Sequence, residues 1–191
     1  MDETVNISMV GVGGQGILLT SDITAKVAMA AGFDAKKSEV HGMAQRGGSV
    51  ISQVRFGKKI YSPIIPDGAS QILVSFEKME TLRWKHLAAP GAKVLVNMVD
   101  LVSITVSSGQ QPAFEGTDAA LESNFQGLVK VEAQKIALEL GNARCMNMVM
   151  AGVISKYLAF EEAVWLQVLK ERIPGKLLEL NLKAFAAGRA V

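Results

Sequence analysis

Gly13, Gly14 and Gly16 lie within four residues of one another, directly behind the apolar run Val5–Gly11. Glycines packed this densely suit a tight turn or a close approach of the backbone to something else. From Ile17 the pattern becomes helical, with Leu19, Ile23, Val27 and Ala30 at three- and four-residue steps, and Gly32 reads as the stop. The opening therefore reads as strand, glycine turn and helix, the first part of a βαβ unit. Gly11-Val12-Gly13-Gly14-Gln15-Gly16 fits the spacing G-x-G-x-x-G. At such a turn the backbone can approach a phosphate, and the helix start offers unpaired N–H groups. No Asp or Glu stands between Val12 and Ser21 to repel an anion. The same glycines equally suit close packing of strand on helix.

Dinucleotide sites of this type want an acid about 20 residues further on, for the ribose. Here that stretch is Lys36-Lys37-Ser38-Glu39, in a loop-like context. That argues against ordinary NAD binding. The lysines read either as partners of a phosphorylated ribose or as a solvated pair, the blander and favoured reading. A second constellation follows in His41–Ser49, where Arg46 precedes Gly47 and Gly48. An arginine beside flexible backbone can clamp a phosphate or carboxylate bidentately, or can simply pair within the fold. His41 reads as a loop histidine bonded to backbone before it reads as an acid or base.

Further along, Val50–Phe56 reads as a strand, Gly57-Lys58 as a turn and Ile60-Tyr61 as the start of a return strand. This predicts an inserted hairpin. Gln71–Ser75, Lys93–Asn97, Leu101–Val106 and Leu128–Val131 read as further strands. Glu77–Leu87 reads as a helix, as do residues 133–140, 143–158, 161–171 and 175–187. Short buried strands alternating with helices predict an α/β, Rossmann-like fold. Its sheet is mostly parallel with helices on both faces, plus the inserted hairpin and a helical C-terminal third.

With 191 residues the chain suits one domain. The formal charge is +2 with no block of like charge, so no nucleic-acid partner is expected. Cys145 is the one cysteine, and His41 and His86 are the only histidines. That excludes an internal disulfide, a cluster held by this chain and a Cys-based zinc site, and no bound metal is expected. Cys145 has no sequence-adjacent base, and no G-x-S-x-G accompanies Ser62. No catalytic residue is expected. The Met-rich run Cys145–Gly152 reads as core or as a subunit interface. No signal-peptide pattern opens the chain, and its longest apolar run, Cys145–Ser155, is too short to span a membrane. A cytoplasmic, soluble protein is expected. Mean hydropathy is nonetheless +0.26, an apolar excess that fits a large permanent interface.

Four segments carry a resemblance: GVGGQGI (Gly11–Ile17), KSEVHGMAQRGGSV (Lys37–Val50), VRFGKKIYSP (Val54–Pro63) and LNLKAFAAG (Leu180–Gly188). Together they resemble the gamma-type subunit of 2-oxoacid:ferredoxin oxidoreductases, and the form H-G-M-A-Q-R-G-G points to the indolepyruvate branch. The resemblance implies a single gamma-type domain over residues 1–191, an accessory subunit inactive alone. It implies a large alpha partner that holds thiamine diphosphate and iron–sulfur clusters. That partner would decarboxylate an aryl 2-oxoacid, pass electrons to ferredoxin and form acyl-coenzyme A and CO2. A thiamine signature, Gly-Asp-Gly with later paired Asn, is absent here. By resemblance the site residues are Gly11, Gly13, Gly14, Gln15 and Gly16 of the turn, with Arg46, Gly47 and Gly48 of the second loop. Coenzyme A is the one cofactor left open for this chain, and a hetero-oligomer is implied. Two other classes stay open on the residues alone: a free-standing NAD(P)-dependent oxidoreductase and a non-catalytic nucleotide-binding module.

Overall fold

A computed structural model describes residues 4–41, 47–102, 104–112 and 114–191, without the side chains of residues 41, 104 and 105. Strand β1 (Val5–Val12) runs into the glycine turn and helix α1 (Ile17–Ala30). The helix closes at Gly32, whose φ of 88° needs a residue without Cβ. Next come β2 (Asp34–His41), β3 (Ser49–Gly57) and β4 (Ser70–Ser75). Helix α2 (Lys78–Arg83) and a 3-10 turn at Lys85–Leu87 lead to β5 (Ala88–Asn97). Short helices α3 (Ile104–Ser107) and α4 (Thr117–Asn124) precede β6 (Leu128–Val131). The C-terminal third is helical: α5 (Ala133–Glu139), α6 (Met146–Ser155), α7 (Glu162–Arg172) and α8 (Gly175–Ala190).

The sheet order is β2-β3-β1-β4-β5-β6. β1, β4, β5 and β6 pair in parallel, whereas β3 is antiparallel to both β1 and β2. The parallel strands are apolar on both faces, as a sheet covered twice requires. Ile7, Met9, Ile72, Val74 and Leu95 meet a core shared with α1, α6, α7 and α8. Val10, Leu73, Val94 and Val96 point the other way, toward Leu87, Leu121 and Phe125. The expected Rossmann-like sandwich is thus present.

The hairpin is present but differently built. β3 pairs with β2, from Asp34↔Gly57 to His41↔Val50, and Ile60-Tyr61 forms no strand. The stretch Lys36–Glu39, read from the sequence as loop-like, is therefore part of the edge strand. β2 reads as polar because an edge strand can carry charge. Lys36 pairs with Asp34 at 3.8 Å and Lys37 with Glu39 at 2.5 Å. The strand expected at Leu101–Val106 is absent. Just before it, Asp100 holds Lys78 at 2.5 Å, and the Leu101 N–H donates to Glu77 at 3.3 Å, which draws the chain away from the sheet. α4 was not anticipated, since only Thr117 and Leu121 of its residues are buried. Residues 77–87 break into α2 and a 3-10 turn instead of one helix.

α6 is buried at every position, so its methionines are core of this chain. α6 and α8 touch backbone to backbone. A Cβ on Gly152 would lie 2.1 Å from the Phe185 carbonyl oxygen, and one on Gly188 would lie 1.9 Å from that of Val149.

Candidate functional site

The carboxyl ends of the parallel strands form one edge, where α/β sheets of this kind place their ligands. The glycine turn sits there. Its shape is set by Gln15, whose side-chain amide is spent internally at both ends. Gln15 Oε1 accepts from the Val12 N–H at 2.7 Å, and Gln15 Nε2 donates to the Phe76 carbonyl at 2.8 Å. Phe76, just past β4, also donates its own N–H to Val10 at 2.9 Å. Gln15 thus bolts the turn to the neighbouring strand. Gly11 lies under this arrangement: a Cβ there would meet Gln15 Oε1 at 2.7 Å, Ile17 at 2.9 Å and Phe76 at 2.9 Å.

Gly14 is exposed with φ of 104°, and Gly16 caps α1 with φ of 79° and no side-chain cap. The second predicted loop meets the first through backbone. Gly13 donates to the Gly48 carbonyl at 2.8 Å, and Gly47 donates back to Gly13 at 3.4 Å. The two motifs, some thirty residues apart in sequence, are therefore one feature in space. Arg46 lies outside the described residues, as does the His41 side chain.

Ser49, next to Gly48, is held from the other side by α2. Its hydroxyl donates to Glu80, which is only 5% exposed. Trp84 Nε1 reaches both Ser49 Oγ at 3.0 Å and Glu80 Oε2 at 3.1 Å, and Arg83 donates to Glu80 Oε1 at 2.9 Å. Glu77 caps α2 by accepting from the Glu80 N–H at 2.8 Å. None of this was foreseen. The acids of the run Glu77–Glu80 look like a solvated helix face in one dimension.

Burial pushes the Glu77 carboxyl pKa up, against the lowering effect of its backbone N–H donors. The folded chain thus holds this proton more tightly than the unfolded one does. The contribution of Glu77 to stability falls as pH rises from the ordinary glutamate pKa, about 4.3, through the raised folded value. Urea unfolding at several pH values is expected to show that Glu77→Gln lacks this fall, its stability relative to wild type rising with pH across that window. Parallel profiles would contradict it.

Among the described residues no group of three or more His, Cys, Asp or Glu could hold a metal ion. Cys145 is buried, its Sγ donates to the Asn142 carbonyl at 2.8 Å, and burial raises its pKa.

The sequence profile described as pyruvate ferredoxin/flavodoxin oxidoreductase matches residues 6–191. The chain belongs to this family. Across 189 residues it is 35% identical to the indolepyruvate oxidoreductase subunit IorB of Thermococcus kodakarensis, covering 96% of this chain and 93% of that one. Among solved structures it is similar to the gamma subunit of a keto/oxoacid ferredoxin oxidoreductase from Geobacter sulfurreducens. There the TM-score is 0.70 at 24% identity, over 96% of this chain and 95% of that one. It also overlays a 2-oxoglutarate:ferredoxin oxidoreductase chain from Magnetococcus marinus, solved with 2-oxoglutarate, coenzyme A and succinyl-CoA bound. That match has a TM-score of 0.77 at 21% identity, and this family member covers only 31% of the longer chain while matching it over 100% of its own length. The fold of the family is thus found both as a separate subunit and as part of a larger polypeptide.

Proposed function

We propose that this chain is the gamma-type accessory subunit of a 2-oxoacid:ferredoxin oxidoreductase acting on an aryl 2-oxoacid of the indolepyruvate kind. The full-length similarity to the Thermococcus subunit carries this reading. A large cysteine-rich partner would hold thiamine diphosphate and iron–sulfur clusters, pass electrons to ferredoxin and release acyl-coenzyme A and CO2. A chain with one buried cysteine supplies no cluster ligands. Its part is to help enclose the partner's active site, as one domain over residues 1–191 in a cytoplasmic complex. Among the described residues no helix is long and apolar enough to cross a membrane.

Coenzyme A fits the paired loops on physical grounds. The Gly14 and Gly16 N–H groups make no hydrogen bond to described residues, and the start of α1 is a positive pole. Val40, Leu101 and Val102 are exposed apolar side chains at the same edge of the sheet, suited to packing on a partner. The free-standing NAD(P) reading is disfavoured, because Lys36 and Lys37 are engaged with Asp34 and Glu39 along β2.

The test is reconstitution: arylpyruvate-dependent ferredoxin reduction by the large subunit, with and without this chain. A large subunit fully active alone would overturn the reading. Arg46→Ala is expected to leave assembly intact and cut coenzyme A-dependent turnover by about tenfold or more, the scale of one lost charged hydrogen bond. Loss of assembly instead would make Arg46 a structural residue.

A further inference from the structure

Asn147 is the second residue of α6 and is only 5% exposed. A buried primary amide ordinarily has its donors and acceptor satisfied. Asn97, at the end of β5, shows the usual pattern. It donates to the Phe76 carbonyl at 3.1 Å and to Met146 Sδ at 2.9 Å, and accepts from the Gln134 N–H at 3.4 Å. The Asn147 amide has no such partner among the described residues. Only its backbone carbonyl is engaged across the fold, by Thr20 Oγ1 at 3.3 Å. Among described residues, the one fully sealed side-chain polar atom lacking a hydrogen bond is Trp165 Nε1. The Asn147 amide therefore keeps an opening.

The amide is aimed at the glycine turn. A Cβ on Gly16 would lie 2.5 Å from Asn147 Nδ2 and 2.7 Å from its Cγ. The absent side chain of Gly16 is the space that Asn147 occupies. Beside it stand the N–H groups of Gly14 and Gly16, unpaired among the described residues, and the first turn of α1, with no acid between Val12 and Ser21.

We propose that Asn147 contacts the ligand of the glycine turn, its side-chain NH2 donating to a phosphoryl oxygen seated over the N-terminus of α1. This rests on the reading above that the turn faces coenzyme A, and it brings the C-terminal third into the site. In coenzyme A the phosphoryl group is either the pyrophosphate or the 3′-phosphate. Both offer the same acceptor chemistry.

The test uses the reconstituted complex with Asn147→Asp. The replacement is isosteric and breaks no hydrogen bond of the amide. A carboxylate at the start of a helix favours the fold while repelling a phosphate. N147D is expected to assemble, the N-terminal ends of α1 and α6 offsetting part of the cost of a largely buried carboxylate. Its KM for coenzyme A should rise about tenfold or more, the equivalent of ~1.4 kcal/mol, with kcat at saturation retained. Calorimetric titration with coenzyme A, dephospho-coenzyme A and inorganic pyrophosphate separates the sources. Weakening of all three assigns the pyrophosphate, and weakening of coenzyme A alone assigns the 3′-phosphate. Asn147→Ser, neutral and smaller, guards against a folding defect and is expected to raise KM by a smaller factor. An assembled N147D or N147S complex that needs coenzyme A at the wild-type KM overturns this inference and leaves the subunit reading standing. A wild-type complex that binds none of the three probes overturns the coenzyme A assignment and this inference together.

Discussion

Gly188→Ala is expected to destabilise the chain by about 3 kcal/mol or more, the upper range for forcing atoms into a packed interior. A Cβ at that position would lie 1.9 Å from the Val149 carbonyl oxygen, and 2.8 Å from its carbon. Both contacts are backbone, so no rotamer change relieves them. α8 must move away from α6, and α6 cannot retreat, because all ten of its residues are buried. For a chain of this size that energy lowers the melting temperature by roughly 6–12 °C. Gly152→Ala meets the mirror-image clash, at 2.1 Å from the Phe185 carbonyl oxygen, and should behave alike. Because the two sites share one contact, the double variant is expected to cost less than the sum of the singles. A Gly188→Ala protein melting within about 2 °C of wild type would show that the helices are not pressed together as described.

Gly16→Ala carries the second large effect, from two separate causes. At a φ of 79° an alanine costs roughly 1–2 kcal/mol in backbone strain alone. Its methyl would also strike the Asn147 side chain at 2.5–2.8 Å. The expected loss is about 2–4 kcal/mol, read by chemical denaturation. The two causes can be told apart by pairing Gly16→Ala with Asn147→Ala. Removing the amide should recover the part of the clash due to Asn147 Nδ2 and Cγ, leaving the backbone strain and the contact with Asn147 Cβ at 2.8 Å. Full additivity of the pair would mean that Asn147 does not press on Gly16.

The parts of the fold legible in sequence are those where one local rule acts alone. β1, the glycine turn and α1 follow from a glycine cluster between two unlike periodicities, and β4 and β6 from short apolar runs. The helical third follows from its punctuation at Asn142, Phe160-Glu161 and Pro174-Gly175. β2 was not legible, because its stability comes from pairing to β3 and from its own ion pairs rather than from an apolar face. α4 was hidden for a related reason, with two buried residues in eight.

The site divides the same way. Gly11, Gly13, Gly14, Gln15, Gly16, Gly47 and Gly48 stood out one by one, yet no spacing rule says that Gly13 and Gly48 share a hydrogen bond. Glu80 and Asn147 were missed because each takes its meaning from a partner far along the chain. A signal was present for Asn147: a lone amide inside the run Cys145–Ala151, where every other residue is apolar.

The double use of the Gln15 amide has a thermodynamic consequence. The turn is fastened by the protein's own groups, to Val12 on one side and Phe76 on the other, and stitched to Gly48 beside it. Whatever docks there meets donors whose positions are already set. Little ordering entropy of the loop remains to be lost at the moment of encounter. Fastening of this kind frees the affinity of the site from the length and wording of the rest of the loop. The complex can then vary what it admits while the cradle itself stays fixed.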